Sequence, residues 1–197
     1  MELNFRTDAP KPWQRWFRFR LRTMLVAIAM ISLWLSTTAN RANKQRRAVE
    51  KIKAAGGVVG YDYEVDGNFN RREDDPSPPG PDWLRNLIGV DYFATVIYVE
   101  FNTADDQSLA VVKDLPNLRA LELTDDVKLT DAGLECVRDL PQLEALYIDG
   151  CEKLTDACLR HLRSLKHLSC LIQLSTGISL EGLQDLQRAL PNLRYEM

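Results

Sequence analysis

Histidine is scarce in this chain. Two histidines occur among 197 residues, and both of them, His161 and His167, fall in one stretch near the C-terminus. Histidine is the side chain whose ordinary pKa best suits proton transfer near neutral pH, so the sequence offers little for general acid–base catalysis. A glycine-rich phosphate-binding loop and a supported nucleophile–histidine pairing are missing as well. These absences predict a protein that is not an enzyme and needs no cofactor.

Cysteine is missing from the first 135 residues. The four cysteines, at positions 136, 151, 158 and 170, take their places from a repeat that is described below, so a disulfide framework is not indicated. Their redox state stays open.

The second part of the chain lacks basic charge. Residues 1–47 carry ten Lys/Arg against Glu2 and Asp8, whereas residues 48–197 hold fifteen Lys/Arg and twenty-six Asp/Glu. An acidic body repels phosphates, which argues against nucleic acid as its partner.

The basic leader surrounds an apolar segment. Eighteen uncharged residues, 23–40, lie between Arg22 and Arg41. As a helix they would span roughly 27 Å, close to the hydrocarbon core of about 30 Å. Aromatic residues near both ends suit the interfaces, and arginines can extend to the headgroups (Trp13, Trp16, Phe17, Phe19 and Trp34). We therefore predict a single-pass transmembrane helix over 23–40.

Two alternatives to an anchor stay open, a cleaved signal peptide with small residues near 37–39 and a buried helix of the folded domain. Positive charges flank the segment on both sides, so orientation is poorly determined. The preferred location is the cell membrane, with the C-terminal domain outside the cytoplasm.

Residues 41–95 precede the repeats. The stretch 41–55 has helical spacing of Val49, Ile52 and Ala55 before two glycines. VVGYDYEV at 58–65 is typical of a strand, the proline-rich stretch after it of a loop, PDWLRNLIG of a short helix and FATVIYVEF of a second strand. We expect 41–95 to form an N-terminal cap after the basic segment 1–22 and the transmembrane helix.

A repeat of 24 to 25 residues dominates positions 96–197. KLTDAGL at 128–134 and KLTDACL at 153–159 differ at one residue, and their starts lie 25 positions apart. Helix-capping residues recur at the same interval: Asp105, Thr130, Thr155 and Ser179. Three apolar columns follow them: Leu109, Leu134, Leu159 and Leu183; Val112, Val137, Leu162 and Leu186; Leu115, Leu140, Leu165 and Leu190.

After each predicted helix the pattern changes to a short strand. Leu118, Leu121 and Leu123 of one unit match Leu143, Leu146 and Ile148 of the next. The third unit begins at Leu168, and its register stays open between Cys170 with Ile172 inward and Leu171 inward. A further start, Leu193-x-Tyr195-x-Met197, ends the chain.

The stretches LRALELTDDVKLTDAGL and LEALYIDGCEKLTDACL resemble the cysteine-containing leucine-rich repeats of F-box-type adaptor proteins. Cys151 stands at the motif's cysteine position, and Asp126 departs from it. The leader also resembles that of bacterial membrane-anchored leucine-rich-repeat proteins. The resemblance implies an α/β fold, a short leucine-rich-repeat solenoid of strand–turn–helix units. An F-box-like segment is not evident, so a role in ubiquitin ligation is not implied.

Leucine-rich repeats use the strand residues between the leucines for binding, which implies a protein-interaction module. The candidate partner-binding residues are Glu100, Glu122, Thr124, Tyr147, Asp149 and Gln173. Tyr147 is the best anchor, because an exposed aromatic side chain gives contact area at low entropic cost. The partner would be another protein or an envelope component; homotypic contacts are the alternative, and the oligomeric state stays open.

Two spacings imitate metal sites. Cys158, His161, His167 and Cys170 have a zinc-like spacing, but they occupy repeat positions on different elements and would not converge. DYEVDGNFNRRE at 62–73 imitates a calcium loop, but it follows a strand and no helix can follow its prolines. We therefore predict no metal site.

Overall fold

A computed structural model of the chain describes residues 13–73, 76–124 and 128–196, with side chains from residue 22 onward. It divides into two compact units, Met1–Arg41 and Ala42–Met197. The aromatic side chains at positions 13–19, Asp126 and Met197 belong to the predictions that lie outside the described side chains or residues.

A long helix, α1, covers Trp13–Ala54. Within the described residues it contains the one stretch, Arg22–Ala54, that is long and apolar enough to cross a bilayer by length and composition; a signal sequence meets the same criteria. The apolar side chains between positions 24 and 35 are exposed on all sides of the helix (Met24, Leu25, Val26, Ile28, Met30, Ile31, Leu33, Trp34 and Leu35). The predicted apolar N-terminal helix is confirmed.

The last three turns of α1 belong to the second unit. Val49 and Ile52 are buried there, as the helical spacing predicts, and Ala48 joins them. Gln45 fixes this part of the helix: its side-chain nitrogen donates to Asp91 Oδ1 and Ala94 O, both at 2.9 Å, and its oxygen accepts from Val96 N at 3.2 Å.

One six-stranded sheet organises the second unit, in the order β1–β6. Its strands are β1 (Val58–Tyr61), β2 (Val96–Phe101), β3 (Ala120–Leu123), β4 (Ala145–Asp149), β5 (Cys170–Leu174) and β6 (Arg194–Glu196). β2 to β6 pair in parallel, and β1 pairs with β2 antiparallel. Gly57 precedes β1 because a Cβ there would lie 2.7 Å from the Ile52 side chain and 2.9 Å from Glu100 O.

The strand predicted over 58–65 is shorter in the structure. β1 ends at Tyr61, where its register shifts, and the chain turns back. The Glu64 carboxylate accepts from Tyr61 N at 3.1 Å and Tyr61 O accepts from Glu64 N at 2.9 Å, which closes a turn. Beyond it a single bridge pairs Val65 with Arg71. Local side-chain bonds thus override the strand pattern of YDYEV.

The helical segments opposite the sheet are short. They are α2 (Asp82–Ile88), 3₁₀-turns at Val90–Tyr92 and Gly133–Asp139, α3 (Asp106–Leu109) continued by a 3₁₀-turn to Asp114, a 3₁₀-turn at Asp156–Cys158 continued by α4 (Leu159–Leu162), and α5 (Leu180–Ala189). Adjacent strands are about 4.8 Å apart, whereas packed α-helices need about 8–10 Å. The tighter 3₁₀ form reduces this mismatch in the first three units.

The apolar columns all face the interior. Every residue of the three predicted helical columns is buried, which confirms them. The inward strand residues form two further rows across the sheet: Val99, Leu121, Leu146 and Leu171; Phe101, Leu123, Ile148 and Gln173. The third unit therefore places Leu171 inward, which settles the open register.

Three of the four predicted caps are confirmed. Asp105 accepts from Ser108 N at 2.7 Å, Thr155 from Ala157 N at 3.3 Å and Ser179 from Gly182 N at 3.0 Å. Thr130 differs, because its 3₁₀-turn starts only at Gly133 and has no side-chain cap. The Thr130 hydroxyl donates instead to Asp106 at 2.7 Å.

That bond belongs to a ladder of three aspartates, which we call the aspartate ladder. Each aspartate accepts from both the backbone N–H and the hydroxyl of the capping residue one unit later, at 2.7–2.9 Å (Asp106 with Thr130, Asp131 with Thr155, Asp156 with Ser179). A Cβ at Gly133 would lie 2.0 Å from Asp106 Oδ1. The duplicated Thr-Asp pair therefore links neighbouring units rather than serving only its own helix.

Truncation in the central leucine row tests the stacking. Leu146 is fully buried on β4, so we expect Leu146→Ala to lower the free energy of unfolding by about 2–5 kcal/mol. The measurement is urea unfolding of the full-length protein in non-ionic detergent, followed by circular dichroism. Leu174→Ala, at a side chain 44% exposed on β5, is the matched control. Equal losses in the two variants would contradict the assignment of inward and outward residues.

Acid tests the aspartate ladder. The hydrogen bonds from Ser179 hold the pKa of Asp156 below its ordinary 3.8, so the carboxylate stabilises the fold above that pH, and this stabilisation is lost as the pH falls through the lowered pKa. We expect Asp156→Asn to cost about 1 kcal/mol at neutral pH and to weaken the pH dependence of unfolding. Asp139→Asn, at an exposed position, is the control. An unchanged acid profile in Asp156→Asn would contradict the ladder.

Candidate functional site

The side of the sheet opposite the buried leucines, here called the outer face, carries the candidate site. Its residues stand in two rows that cross the parallel strands: Tyr98, Ala120, Ala145, Cys170 and Arg194; Glu100, Glu122, Tyr147, Ile172 and Glu196. Alternation along a strand sends successive side chains to opposite faces, so the buried rows and the outer rows follow from one register.

Five of the six sequence-predicted binding residues lie on this face. Glu100, Glu122 and Tyr147 are neighbours in one row and are half-buried. Thr124 and Asp149 follow on β3 and β4; the Thr124 hydroxyl bonds to Asn102 Oδ1 at 3.0 Å. The structure thus brings these five side chains together on one surface.

Gln173 was predicted wrongly as a surface residue. Its side chain is 4% exposed and stands in the inward row beside Ile148, where the Thr176 hydroxyl donates to its side-chain oxygen. An unbroken interval of 25 residues joins Leu118, Leu143 and Leu168. Extending that interval through the strand would have placed Gln173 inward.

Tyr98 links two carboxylates at one end of the outer face. Its hydroxyl lies 2.6 Å from Glu122 Oε2 and 3.2 Å from Glu100 Oε2. Burial, followed by the hydrogen bond to Glu122, raises the pKa of the Tyr98 phenol. A protonated phenol between two adjacent glutamates reduces the cost of placing like charges side by side. Sequence reasoning missed Tyr98, although it stands one unit before Ala120 in the outer row.

A cleft of about 280 Å³ opens beside Tyr98, between the outer face and the loop that follows β1. Its lining includes the carboxylates of Glu64, Glu100 and Glu122, the Arg71 guanidinium and the Phe69 ring. The excess of negative groups makes the cleft suited to a positively charged side chain.

Phe69 and Arg119 hold the loop near the sheet. The Arg119 guanidinium lies 5.5 Å from the Phe69 ring centroid and donates two hydrogen bonds of 2.8 Å to Glu144. Phe69 has a φ of 63°, a left-handed conformation that is uncommon for a bulky residue. A planar guanidinium between a ring and a carboxylate has a fixed orientation, which gives this side of the cleft a defined shape.

The carboxylates of the calcium-like segment point to separate partners. Asp66 accepts from Asn68 N at 2.8 Å and Asn70 N at 2.9 Å, and Asp62 accepts from Thr95 N at 3.2 Å. Glu64 accepts from Tyr61 N and from the Tyr63 hydroxyl. Among the described residues, groups of three or more His, Cys, Asp or Glu that could hold a metal ion do not occur.

The zinc-like residues occupy different environments. Cys158 and His161 are buried, Cys170 lies on the outer face, and His167 is exposed. Burial raises the pKa of Cys158 to about 12, that of Cys136 to about 12 and that of Cys151 to about 11. These thiols therefore stay protonated at neutral pH and are poor nucleophiles.

A larger groove of about 550 Å³ lies on the helical side. Its lining alternates Lys113 and Arg138 with Glu135 and Asp139, and Arg138 pairs with Glu135 at 3.6 Å. Balanced, exposed charges of this kind give no preference for a ligand of either sign.

Removal of the Tyr98 hydroxyl tests its link between the glutamates. We expect Tyr98→Phe to lower the free energy of unfolding by about 1–2 kcal/mol, because Glu100 and Glu122 lose a shared donor. The measurement is denaturant unfolding at neutral pH. Tyr92→Phe is the control, since Tyr92 is half-buried outside the outer face. The account fails if both variants unfold at the same denaturant concentration as the original protein.

Comparison with known proteins gives little beyond this geometry. Protein-family models do not match the chain, and neither do curated proteins. A solved structure with some likeness is that of a leucine-rich-repeat (LRR) protein from Leptospira interrogans, at 20% identity and a TM-score of 0.32. The match covers 45% of this chain and only 27% of the other chain. At these values the likeness carries no argument about function, which rests on the residues described above.

Proposed function

We propose that this chain is a membrane-anchored leucine-rich-repeat protein without enzymatic activity. Residues 96–197 would form a short solenoid of cysteine-containing repeats, and residues 23–40 would anchor it as a single-pass protein of the cell membrane. Its outer face would bind another protein or an envelope component. The observation that carries the proposal is the continuous outer row from Glu100 to Glu196, whose side chains are half-buried or exposed.

The composition of the outer face specifies the partner's chemistry. Glu100, Glu122, Asp149 and Glu196 are negative, and Arg194 is the positive residue in the two rows. Tyr147 and Ile172 lie side by side between the glutamates. A partner with basic side chains around an apolar or aromatic group would complement this arrangement. The same negative charges disfavour nucleic acid.

Exposure of the leader supports the anchor. Met30, Leu33 and Trp34 are 65–68% exposed, and the apolar side chains of 24–35 leave no polar side of the helix for water. A helix that is apolar all round is covered by lipid or by protein. An anchor in the cell membrane, with the repeats outside the cytoplasm, fits a protein that binds an envelope component.

Two alternatives lead to different behaviour. Cleavage of the leader would produce a secreted repeat protein, and homotypic contacts would make the chain a structural envelope protein. Burial and raised pKa values of three thiols, together with the separation of the two histidines, support a role in binding rather than in catalysis.

Photo-crosslinking in the native cell tests the proposal. A photoreactive phenylalanine derivative replaces Tyr147 in the full-length chain, and a second protein carries it at Arg163, which is exposed at the end of α4. We expect discrete adducts with a different protein from position 147 only. Glu196→Lys should weaken those adducts, because it reverses a charge at the end of the row.

Other outcomes distinguish the alternatives. Adducts exclusively between copies of the chain would favour the structural protein, and recovery of a shortened chain outside the membrane would favour secretion. Equal labelling from positions 147 and 163 would contradict recognition by the outer face. A melting curve of Glu196→Lys like that of the original protein shows that lost adducts do not result from unfolding.

A further inference from the structure

α2 is a helix without a buried residue. Its seven residues follow the proline-rich loop, and none of them is buried in the second unit. Leu84 and Ile88, four positions apart, are half-buried and therefore face the rest of the unit. Trp83 and Leu87, also four positions apart, are 68% and 73% exposed. These two side chains form a small apolar surface, which we call the Trp83 surface.

Arg85 fixes the helix to the loop before it. The Arg85 guanidinium donates to Pro78 O at 2.5 Å and to Gly80 O at 2.6 Å, and it also pairs with Asp82. An isolated helix of seven residues is not stable in water. Arg85 thus holds α2 in place by polar bonds while Trp83 and Leu87 stay uncovered, so the rigidity of the helix does not depend on burying its two largest apolar side chains.

The Trp83 surface lies near the point where the chain enters the second unit. Gln45 bonds to Asp91 and Ala94, and Asp91 comes three residues after the end of α2. Ala42, where the unit begins, stands about 4.5 Å along the helix from Gln45. The apolar segment ends at residue 40, so covalent connection keeps its end within about 8 Å of Ala42. A bilayer crossed by residues 23–40 would therefore have its surface at this end of the unit.

The local chemistry suits a lipid interface. Tryptophan favours the boundary between headgroups and acyl chains, and leucine favours the apolar side of it. Lys44 and Arg47 are exposed on the same first turns of the unit, where they can attract anionic headgroups. Exposed large apolar side chains in a cluster mark an interaction surface. Continuity with the membrane segment identifies a lipid bilayer, rather than a protein, as the partner that covers it.

We propose that the Trp83 surface inserts into the interface of the bilayer that the leader anchors, and so forms a second membrane contact. This proposal depends on the proposed anchoring by residues 23–40. With two contacts the folded unit would not rotate freely about its tether. The outer face would then have a fixed orientation relative to the membrane, which would reduce the entropy lost when it binds a partner.

Tryptophan fluorescence in lipid vesicles tests the insertion. The chain has four tryptophans, so replacing Trp13, Trp16 and Trp34 by phenylalanine leaves Trp83 as the single reporter. The full-length protein is reconstituted into vesicles of equimolar phosphatidylcholine and phosphatidylglycerol, with and without bromine on the acyl chains. We expect Trp83 emission to be quenched by the brominated lipid and to be protected from aqueous iodide.

Two variants serve as controls. Leu87→Glu, at an exposed position, should leave the melting curve unchanged but abolish quenching of Trp83 by brominated lipid. A protein with all four tryptophans replaced by phenylalanine and with Tyr147→Trp reports from the outer face. Its emission should be quenched by iodide and not by the brominated lipid.

Flotation of the vesicles separates the two proposals. Protein that floats with vesicles while Trp83 is quenched only by iodide would overturn insertion and leave the anchor intact. Protein that does not float would overturn the anchor itself and the insertion with it. If Trp83 is protected from both quenchers and this protection disappears on dilution of the protein in the bilayer, a second copy covers the surface, which also overturns insertion into lipid.

Discussion

Parallel pairing of the strands is the constraint on which the second unit depends. β2 to β6 can pair in register only if equivalent residues recur at a nearly constant interval, and the 25-residue period supplies that interval. The pairing aligns the leucines into buried rows and, on the opposite side, aligns Glu100, Glu122 and Tyr147 into an outer row. The aspartate ladder repeats the same interval at the starts of the helical segments. Hydrophobic stacking and polar bonds therefore specify one register.

The sequence predicted what the period determines. The helical columns, the strands of the repeats and five of six outer residues follow from counting in units of 25, and the structure places them accordingly. Features outside the period were harder to predict. Glu64 ends β1 early through a hydrogen bond to a nearby backbone group, and Asp106 takes the Thr130 hydroxyl away from capping. Such competition between local and distant partners is not visible in a hydrophobic pattern.

Gln173 shows a different reason for error. A polar residue between apolar ones was assigned to the surface, but the strand register places it in the interior, where Thr176 satisfies its oxygen. Tyr98 shows the reverse, since a residue typical of strand interiors links Glu100 and Glu122 on the outer face. Residue type alone is a weak guide to the face of a strand; position within the repeat is the stronger one.

The proposed function requires that the outer face behave as one surface, which in turn requires that the repeats form one cooperative stack. Hydrogen–deuterium exchange of the full-length protein in lipid nanodiscs, resolved by mass spectrometry, measures this most directly. The account predicts that backbone amides of β2 to β5 exchange together and most slowly, because they open only when the whole stack opens. Exchange of β4 and β5 at a rate separate from that of β2 and β3 would show that the units open independently, and would contradict a single binding surface.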